Sequence, residues 1–298
     1  MAKTIKIVTD SSCHLSMNDI ERFGLMVIPV CIQIGKDIIK ESANVNLTSI
    51  GYKINAEKMT PKVINPSVDE FFKTYSLVYP RYNNILSIHI ASGISDIVKE
   101  AKNAQALLYD ANIEVVDSTL AEVSLKPMLL KIATLAMNQT PQHIITSTLQ
   151  TYTSGFSSFV IASHIKFLQQ NTPYQKRGFL LPILADQRNR YLFSSSQGNL
   201  FMIDKMQTGQ VIEKMVKVIE STQKQKTLYL RIQYALDKEL AYALADALVT
   251  RLDVIIKGID EMSVSSMCRF GTQAVSVGFT TDEDFFEEYV SNKQETSV

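Results

Sequence analysis

The chain is expected to fold as an α/β protein in two parts: a first half built on a parallel sheet, and a second α+β half with a mixed sheet. Two observations support this. In the first half, apolar runs rich in valine and isoleucine alternate with segments of helical spacing. In the second half, strand-like runs outnumber helical ones. At 298 residues and 46% hydrophobic, the chain can bury a substantial core without metals or disulfides.

Ile5-Lys6-Ile7-Val8 is the first strand, stopping at Thr9-Asp10-Ser11-Ser12. Met26 to Ile34 is the second. Ile85 to Ile90 is the third, followed by Ala91-Ser92-Gly93. Ile113 to Val116 is the fourth, followed by Asp117-Ser118-Thr119. Between them, Ser67-Val68-Asp69-Glu70 fits a capping box before a helix carrying Phe71, Phe72 and Tyr75. Ile94 to Leu108 and Leu125 to Met137 read as further helices. Strands separated by helices imply right-handed crossovers and a parallel sheet, with ligands beyond the carboxyl ends of the strands. Three of those ends carry hydroxyls, Ser11 with Ser12, Ser92 with Ser95, and Ser118 with Thr119, and should border one crevice. A serine at such a place can also simply cap the following helix.

In the second half Phe159 to Ala162, Leu180 to Ala185, Tyr191 to Ser194, Thr227 to Ile232 and Val254 to Ile259 read as strands. Thr208 to Ser221 and Lys238 to Arg251 read as helices. Phe270 to Phe279 alternates weakly and could close the sheet, and Thr280 to Glu283 fits another capping box. The division is expected near residue 160, giving units of 1–160 and 161–290 and a polar tail of 291–298.

Lysine plus arginine equals aspartate plus glutamate, at 30 each, so net charge gives no case for a nucleic-acid footprint. No segment has the roughly 20 apolar residues of a membrane span, and the opening residues lack a signal peptide's apolar stretch. Cys13, Cys31 and Cys268 read as reduced thiols in a cytoplasmic protein. Cys13 and His14 are neighbours whose side chains diverge, so they make a poor nucleophile pair. His89 reads as a core histidine, and His143 and His164 have no spaced partner for a metal. Phosphate-binding, dinucleotide and serine-hydrolase motifs are absent. Asp186, Arg188 and Arg190 read as a solvated turn. Nothing points to a cofactor, a metal or a catalytic residue.

Several short segments occur in the order found in one family. Val8-Thr9-Asp10-Ser11-Ser12 is similar to the N-terminal signature of the DegV family. Pro66-Ser67 resembles the end of its Thr-Ser-Gln-Pro-Ser stretch, and Ser92-Gly93-Ile94-Ser95 its Ser-x-Leu-Ser-Gly segment. Val116-Asp117-Ser118, Leu181-Pro182-Ile183-Leu184 and Phe270-Gly271-Thr272 resemble three later ones. The resemblance implies a three-layer α/β/α domain joined to a mixed-sheet domain. It further implies one long-chain fatty acid or similar acyl lipid in a tunnel between them, and a separate fatty-acid kinase as partner.

Carried over residue by residue, the resemblance implies a lipid-binding set of Ser95, Val63, Ser11, Ser12, Ser92, Ser118, Thr272, Gln273 and Arg269. Ser95 keeps the family's hydroxyl. Val63 and Ile64 stand where the family has threonine and serine, Gln273 where it has histidine, and its Gly-Gly-Arg has no counterpart near Asn171. The lost groups are donors or cations. The site should therefore suit a neutral or protonated head better than an anion, and donation to a kinase should be poor. Arg177 and Arg269 lie near the lost positions and are the candidates to replace a lost cation, Arg269, flanking Gly271-Thr272, being the better of the two. The competing expectation is a paralogue that has lost its ligand and serves as an interaction protein. An enzyme acting on a small phosphorylated or keto compound would rest on fold analogy to dihydroxyacetone kinases alone.

Overall fold

The computed structural model describes residues 5–173, 189–196, 198–223 and 226–286. In chain order the first half contains β1 (Ile5–Asp10), α1 (Met17–Arg22), β2 (Met26–Ile28), β3 (Cys31–Ile34), β4 (Asp37–Lys40), α2 (Leu47–Glu57) and β5 (Lys62–Ile64). It continues with α3 (Val68–Val78), β6 (Asn84–His89), α4 (Ile97–Ala106), β7 (Ile113–Asp117), α5 (Glu122–Met137) and α6 (Gln142–Gly155). The second half contains β8 (Ser157–Ala162), α7 (Ile165–Asn171), β9 (Asn189–Ser196), β10 (Asn199–Gln207) and α8 (Val211–Thr222). It ends with β11 (Leu228–Tyr234), α9 (Lys238–Arg251), β12 (Val254–Glu261), α10 (Val264–Phe270) and β13 (Val275–Thr280).

The α/β architecture is the expected one. A parallel sheet runs β2-β1-β6-β7, and a mixed sheet runs β10-β9-β8-β13-β11-β12 with only β11 and β12 parallel. β6 is buried at every position, as a strand covered on both faces should be. The order of the parallel sheet reverses at β1, whose chain successor β2 lies on one side and β6 on the other. A crevice therefore opens beyond the ends of β1 and β6, where such sheets bind ligands.

The capping box at Ser67 forms as read: its side chain accepts from Glu70 N and the Glu70 carboxylate accepts from Ser67 N at 2.9 Å. Elsewhere the structure differs from the sequence reading. Met26 to Ile34 is two strands. β2 joins the parallel sheet, the run breaks around Pro29, and β3 turns into a separate antiparallel sheet ordered β4-β3-β5. Phe270 to Phe279 is not one strand, because α10 ends at Phe270 and β13 begins at Val275. Thr280 to Glu283 is no α-helical cap; Asp282 caps a 3-10 turn, Glu283–Phe285. α2, α6, α7 and β10 lie in segments assigned to no element. Arg177, the expected strand over 180–185 and the tail of 291–298 fall outside the described residues. The division at residue 160 remains a proposal; β8 crosses it. The larger hydrophobic core is continuous from Ile7 and Val8 to Met267, Cys268 and Ala274.

Candidate functional site at the β1–β6 switch point

Beyond β1, Asp10 accepts hydrogen bonds from Ser12 N (3.1 Å) and the Ser12 hydroxyl, and it pairs with His89 Nδ1 at 2.8 Å. His89 Nε2 meets the Ser87 hydroxyl at 2.7 Å, and Tyr75 donates to Ser87 at 2.7 Å. All five residues are buried. Burial alone would raise the Asp10 pKa, but His89 and Ser12 outweigh it and hold the carboxyl below its ordinary value. This chain of bonds locks the two strand ends together. It also occupies Ser12, which is therefore not presented to a ligand.

The hydroxyl-rich ends do not converge as a set. Ser92 is exposed, and its backbone N donates to Asp117. Ser118 is buried and accepts from Leu120 N at 3.2 Å, which makes it a turn-capping group. Besides Ser12, whose hydroxyl is held by Asp10, Ser11 and Ser95 are the expected hydroxyls that meet charged partners. Ser11 accepts from Val30 N at 2.9 Å and donates to Glu41 at 2.7 Å. Ser95 donates to Asn65 Oδ1 at 2.9 Å and accepts from Arg269 Nη2 at 3.4 Å.

Arg269 is fully buried near the end of α10, and its Nε and Nη1 have no hydrogen-bond partner among the described residues. A buried donor without an acceptor costs about 1–3 kcal/mol, more when charged. Burial lowers the arginine's pKa, opposed by the fields of Glu41, Asp10 and Glu122. Glu41 lies just after β4, and its carboxyl oxygens accept from Ser11 and from Ser265 N (2.7 Å). Glu122 opens α5 and accepts from Ser263 N (2.6 Å) and the Ser263 hydroxyl (2.8 Å). Two acids from the first half thus clasp the turn that starts α10, the helix that carries Arg269.

The other expected site residues sit apart from this cluster. Val63 N donates to Asn171 Oδ1 at 2.8 Å, and the Asn171 amide also donates to Pro61 O and Cys268 O. Thr272 donates to Asn55 at 2.9 Å. Gln273 is exposed and accepts from Arg190 Nη2 at 2.6 Å. The lost-histidine position therefore faces Arg190, and Arg269 is the cation that faces Ser95. Arg190 is 3% exposed, so it is not the solvated turn residue expected.

A cavity of about 370 Å³ opens beside the cluster, within the range of small-molecule sites. Ser11, His14, Glu41 and Ser42 are the polar residues of its lining, burial holding the His14 imidazole down to a pKa of about 4, and Leu15, Ile20, Leu25, Val27, Val45 and Val264 are among the apolar ones. The family resemblance puts Ser11, Val63 and Ser95 in the lipid-binding set. Ser11 borders the cavity, whereas Val63 and Ser95 do not line it, because β5 and Ser95 pack instead against Asn171 and Arg269.

The clasp makes a pH prediction. Burial pushes the Glu122 carboxyl up to about 7, with Ser263 opposing and Glu41 adding to the rise. The folded protein then holds a proton that the unfolded chain releases above about pH 4.5. This contribution to stability is present below that pH and is lost as pH rises through 7, by roughly 3 kcal/mol. Glu122→Gln keeps the shape and an acceptor for Ser263 N but does not titrate. Urea unfolding at pH 5 and pH 7 should show a smaller loss for the variant; an identical loss in both proteins would refute the assignment.

Among the described residues no group of three histidines, cysteines or acids could hold a metal, and no helix is long and apolar enough to cross a membrane. The profile described as "Uncharacterised protein, DegV family" matches residues 4–282. A DegV domain-containing protein of Clostridium perfringens is 30% identical over 131 residues, covering 44% of this chain and 47% of the relative. The chain spans about half the length of the curated relatives it matches first. The Bacillus subtilis protein described as DegV, a fatty acid binding protein, superposes with a TM-score of 0.78 at 18% identity, covering 94% of this chain and all of that one. The Streptococcus pneumoniae Fatty Acid Kinase B3 protein, loaded with linoleic acid, superposes with a TM-score of 0.73 at 15% identity, again over 94% and 100%.

Proposed function

This chain belongs to the DegV family, and from that premise we propose that it binds one long-chain fatty acid or similar acyl lipid and carries out no chemistry of its own. The observation that carries this reading is Arg269, a buried cation beside the Ser95 hydroxyl with two nitrogens, Nε and Nη1, that have no hydrogen-bond partner among the described residues. A carboxyl head supplies the acceptors those donors lack, through charge-assisted bonds. The acyl chain has its place in the cavity lined by Leu15, Ile20 and Val264, whose polar side is Glu41, within the field of Arg269. Each methylene moved from water into such a space contributes about 0.8 kcal/mol before ordering costs.

Arg269 alters the expectation drawn from the sequence. With a guanidinium beside Ser95, the site can receive an anionic head, which the departures at Val63 and Gln273 argued against. The partner in this reading is a fatty-acid kinase, supported by what one structural neighbour is called, and the setting is cytoplasmic. The second reading, an interaction protein without a ligand, is favoured by one observation: Ser95 is 2% exposed and does not line the cavity.

Mass spectrometry of lipid extracted from natively purified protein tests the first reading. A stoichiometric acyl lipid supports it. Protein that carries none, and fails to bind added dodecanoate, supports the second. Within the first reading, Ser95 contributes one neutral hydrogen bond, about 0.5–1.5 kcal/mol. Ser95→Ala should therefore weaken dodecanoate binding only a few-fold in isothermal titration. Unchanged affinity would place the head elsewhere.

A further inference from the structure

Glu41 is 4% exposed, lines the polar side of the cavity and uses two acceptor directions, toward Ser11 and Ser265. A carboxylate has about four such directions. The charged and titratable groups that act on it, or on which it acts, come from every side. They are Arg269 and Cys268 on α10, Glu122 on α5, and Cys31 on β3, which also feels Lys40 on β4. Asp10, at the end of β1, acts on the same arginine but is matched by His89. One buried guanidinium is thus left for two buried carboxyls, Glu41 and Glu122, and burial raises the pKa of both. Arg269 does not itself line the cavity, so a ligand carboxylate at its polar side meets Glu41 first and becomes a third claimant on that cation's field. Like charges that close in a dry interior do not all stay ionised, and the group gains a proton as a unit.

We propose that Glu41 determines head-group specificity: it gives up its share of Arg269 by taking one proton from solvent when an acid ligand binds, whereas an acyl lipid with a neutral head binds without proton uptake. The inference rests on the acyl-lipid reading above. The balance is simple, since the ligand arrives as RCOO⁻, one H⁺ is added to a Glu41 oxygen, and no covalent bond to carbon changes. Once protonated, Glu41 can donate to the ligand head, so the pair shares one charge beside Arg269. Both acids have each oxygen hydrogen-bonded, and Glu122 is the less suitable proton acceptor because it does not line the cavity that Glu41 borders.

Dodecanoate and 1-dodecanol test the inference. Dodecanoate is ionised in water from pH 6 upward, as ordinary carboxylic acids are. Dissociation constants measured at pH 6, 7 and 8 should rise with pH for dodecanoate, by up to tenfold per unit where a whole proton is taken up, and stay level for dodecanol. Calorimetry in two buffers of different ionisation enthalpy should count close to one proton taken up with dodecanoate. Glu41→Gln should level the dodecanoate profile, and Glu122→Gln should leave its slope in place. A level profile in the unaltered protein, or a count of zero protons, overturns the inference. So does a slope that survives Glu41→Gln or is lost in Glu122→Gln. If Glu41→Gln does not fold, the proton count and the Glu122→Gln profile still decide. If neither ligand binds at any pH, the acyl-lipid reading has failed instead.

Discussion

Arg269→Met is expected to weaken dodecanoate binding by about 10- to 100-fold while leaving dodecanol binding within a few-fold. Hydrogen bonds to a charged group are worth about 1.5–3 kcal/mol, and each 1.4 kcal/mol is a decade in affinity. The neutral alcohol draws little on the arginine's charge. Stability should change far less than affinity. Methionine fills similar space, and replacing a buried ion by an apolar group is often neutral. Two donors of Arg269 are unpaired before the change, so their desolvation cost is removed with them. Against this, Glu41 loses the charge that holds its carboxyl pKa down, so that pKa, which burial already raises, rises further. Arg269→Lys should fall between the two, because it keeps the charge but loses the planar fork. Titration of both ligands into the three proteins, with urea midpoints beside them, separates the effects. Equal weakening of acid and alcohol by Arg269→Met would show that the arginine shapes the cavity and does not bind the head.

The sequence carried the parts of the fold that are local. Ile5 to Asp10 alternates and then stops at polar residues, and Ser67 and Glu70 are three apart, so β1 and the start of α3 were legible from neighbours alone. β2 and β3 were fused because both are apolar. Pro29 between them was the available signal, since proline cannot donate to a ladder. α6 was legible from Ile145, Leu149 and Tyr152, its buried residues at i, i+4 and i+7, but it was passed over because Ser, Thr and Gln fill most of the positions between them. Ser95 and Arg269 were named as candidates from their place beside Gly93 and Gly271. Their bond spans 174 residues and could not be seen. Glu41 and Glu122 were not named at all. Glu41, between Lys40 and Ser42, reads as solvated, and Glu122, between Ala121 and Val123, reads as an acid in the first turn of a helix; what holds them is contact with Ser265 and Ser263, 224 and 141 residues away. The hydroxyl count misled for the same reason. Ser12 and Ser118 serve their own turns, and nothing in their spacing separates that role from facing a ligand.

Gly271→Ala is expected to cost more stability than any other change named here, about 2–6 kcal/mol, and to abolish ligand binding with it. Gly271 closes α10, donating to Met267 O at 2.7 Å, with φ of +105° and ψ of 160°. That region of backbone space is open to glycine and costs other residues about 1–3 kcal/mol. Space is the second obstacle. A β-carbon there would sit 2.3 Å from Ser163 Oγ and 2.7 Å from His164 N. Ser163 cannot simply turn aside, because its hydroxyl accepts from Gln273 N at 3.1 Å and its own N donates to Phe270 O at 2.8 Å. His164 N is backbone in the turn between β8 and α7, so relief requires one turn to move away from the other, at about 1–3 kcal/mol for overpacking. The movement would begin two residues from Arg269 and displace the guanidinium from Ser95, so binding fails even where the chain remains folded. Gly209→Ala is the matched control, since nothing lies within 4 Å of its added carbon, and a surface change of that kind should stay within about 0.5 kcal/mol. Urea unfolding of both variants beside the parent protein checks the expectation. A Gly271→Ala protein within 1 kcal/mol of the parent would show that the two turns can part at little cost, and that Arg269 is held by the Glu41 and Glu122 clasp alone.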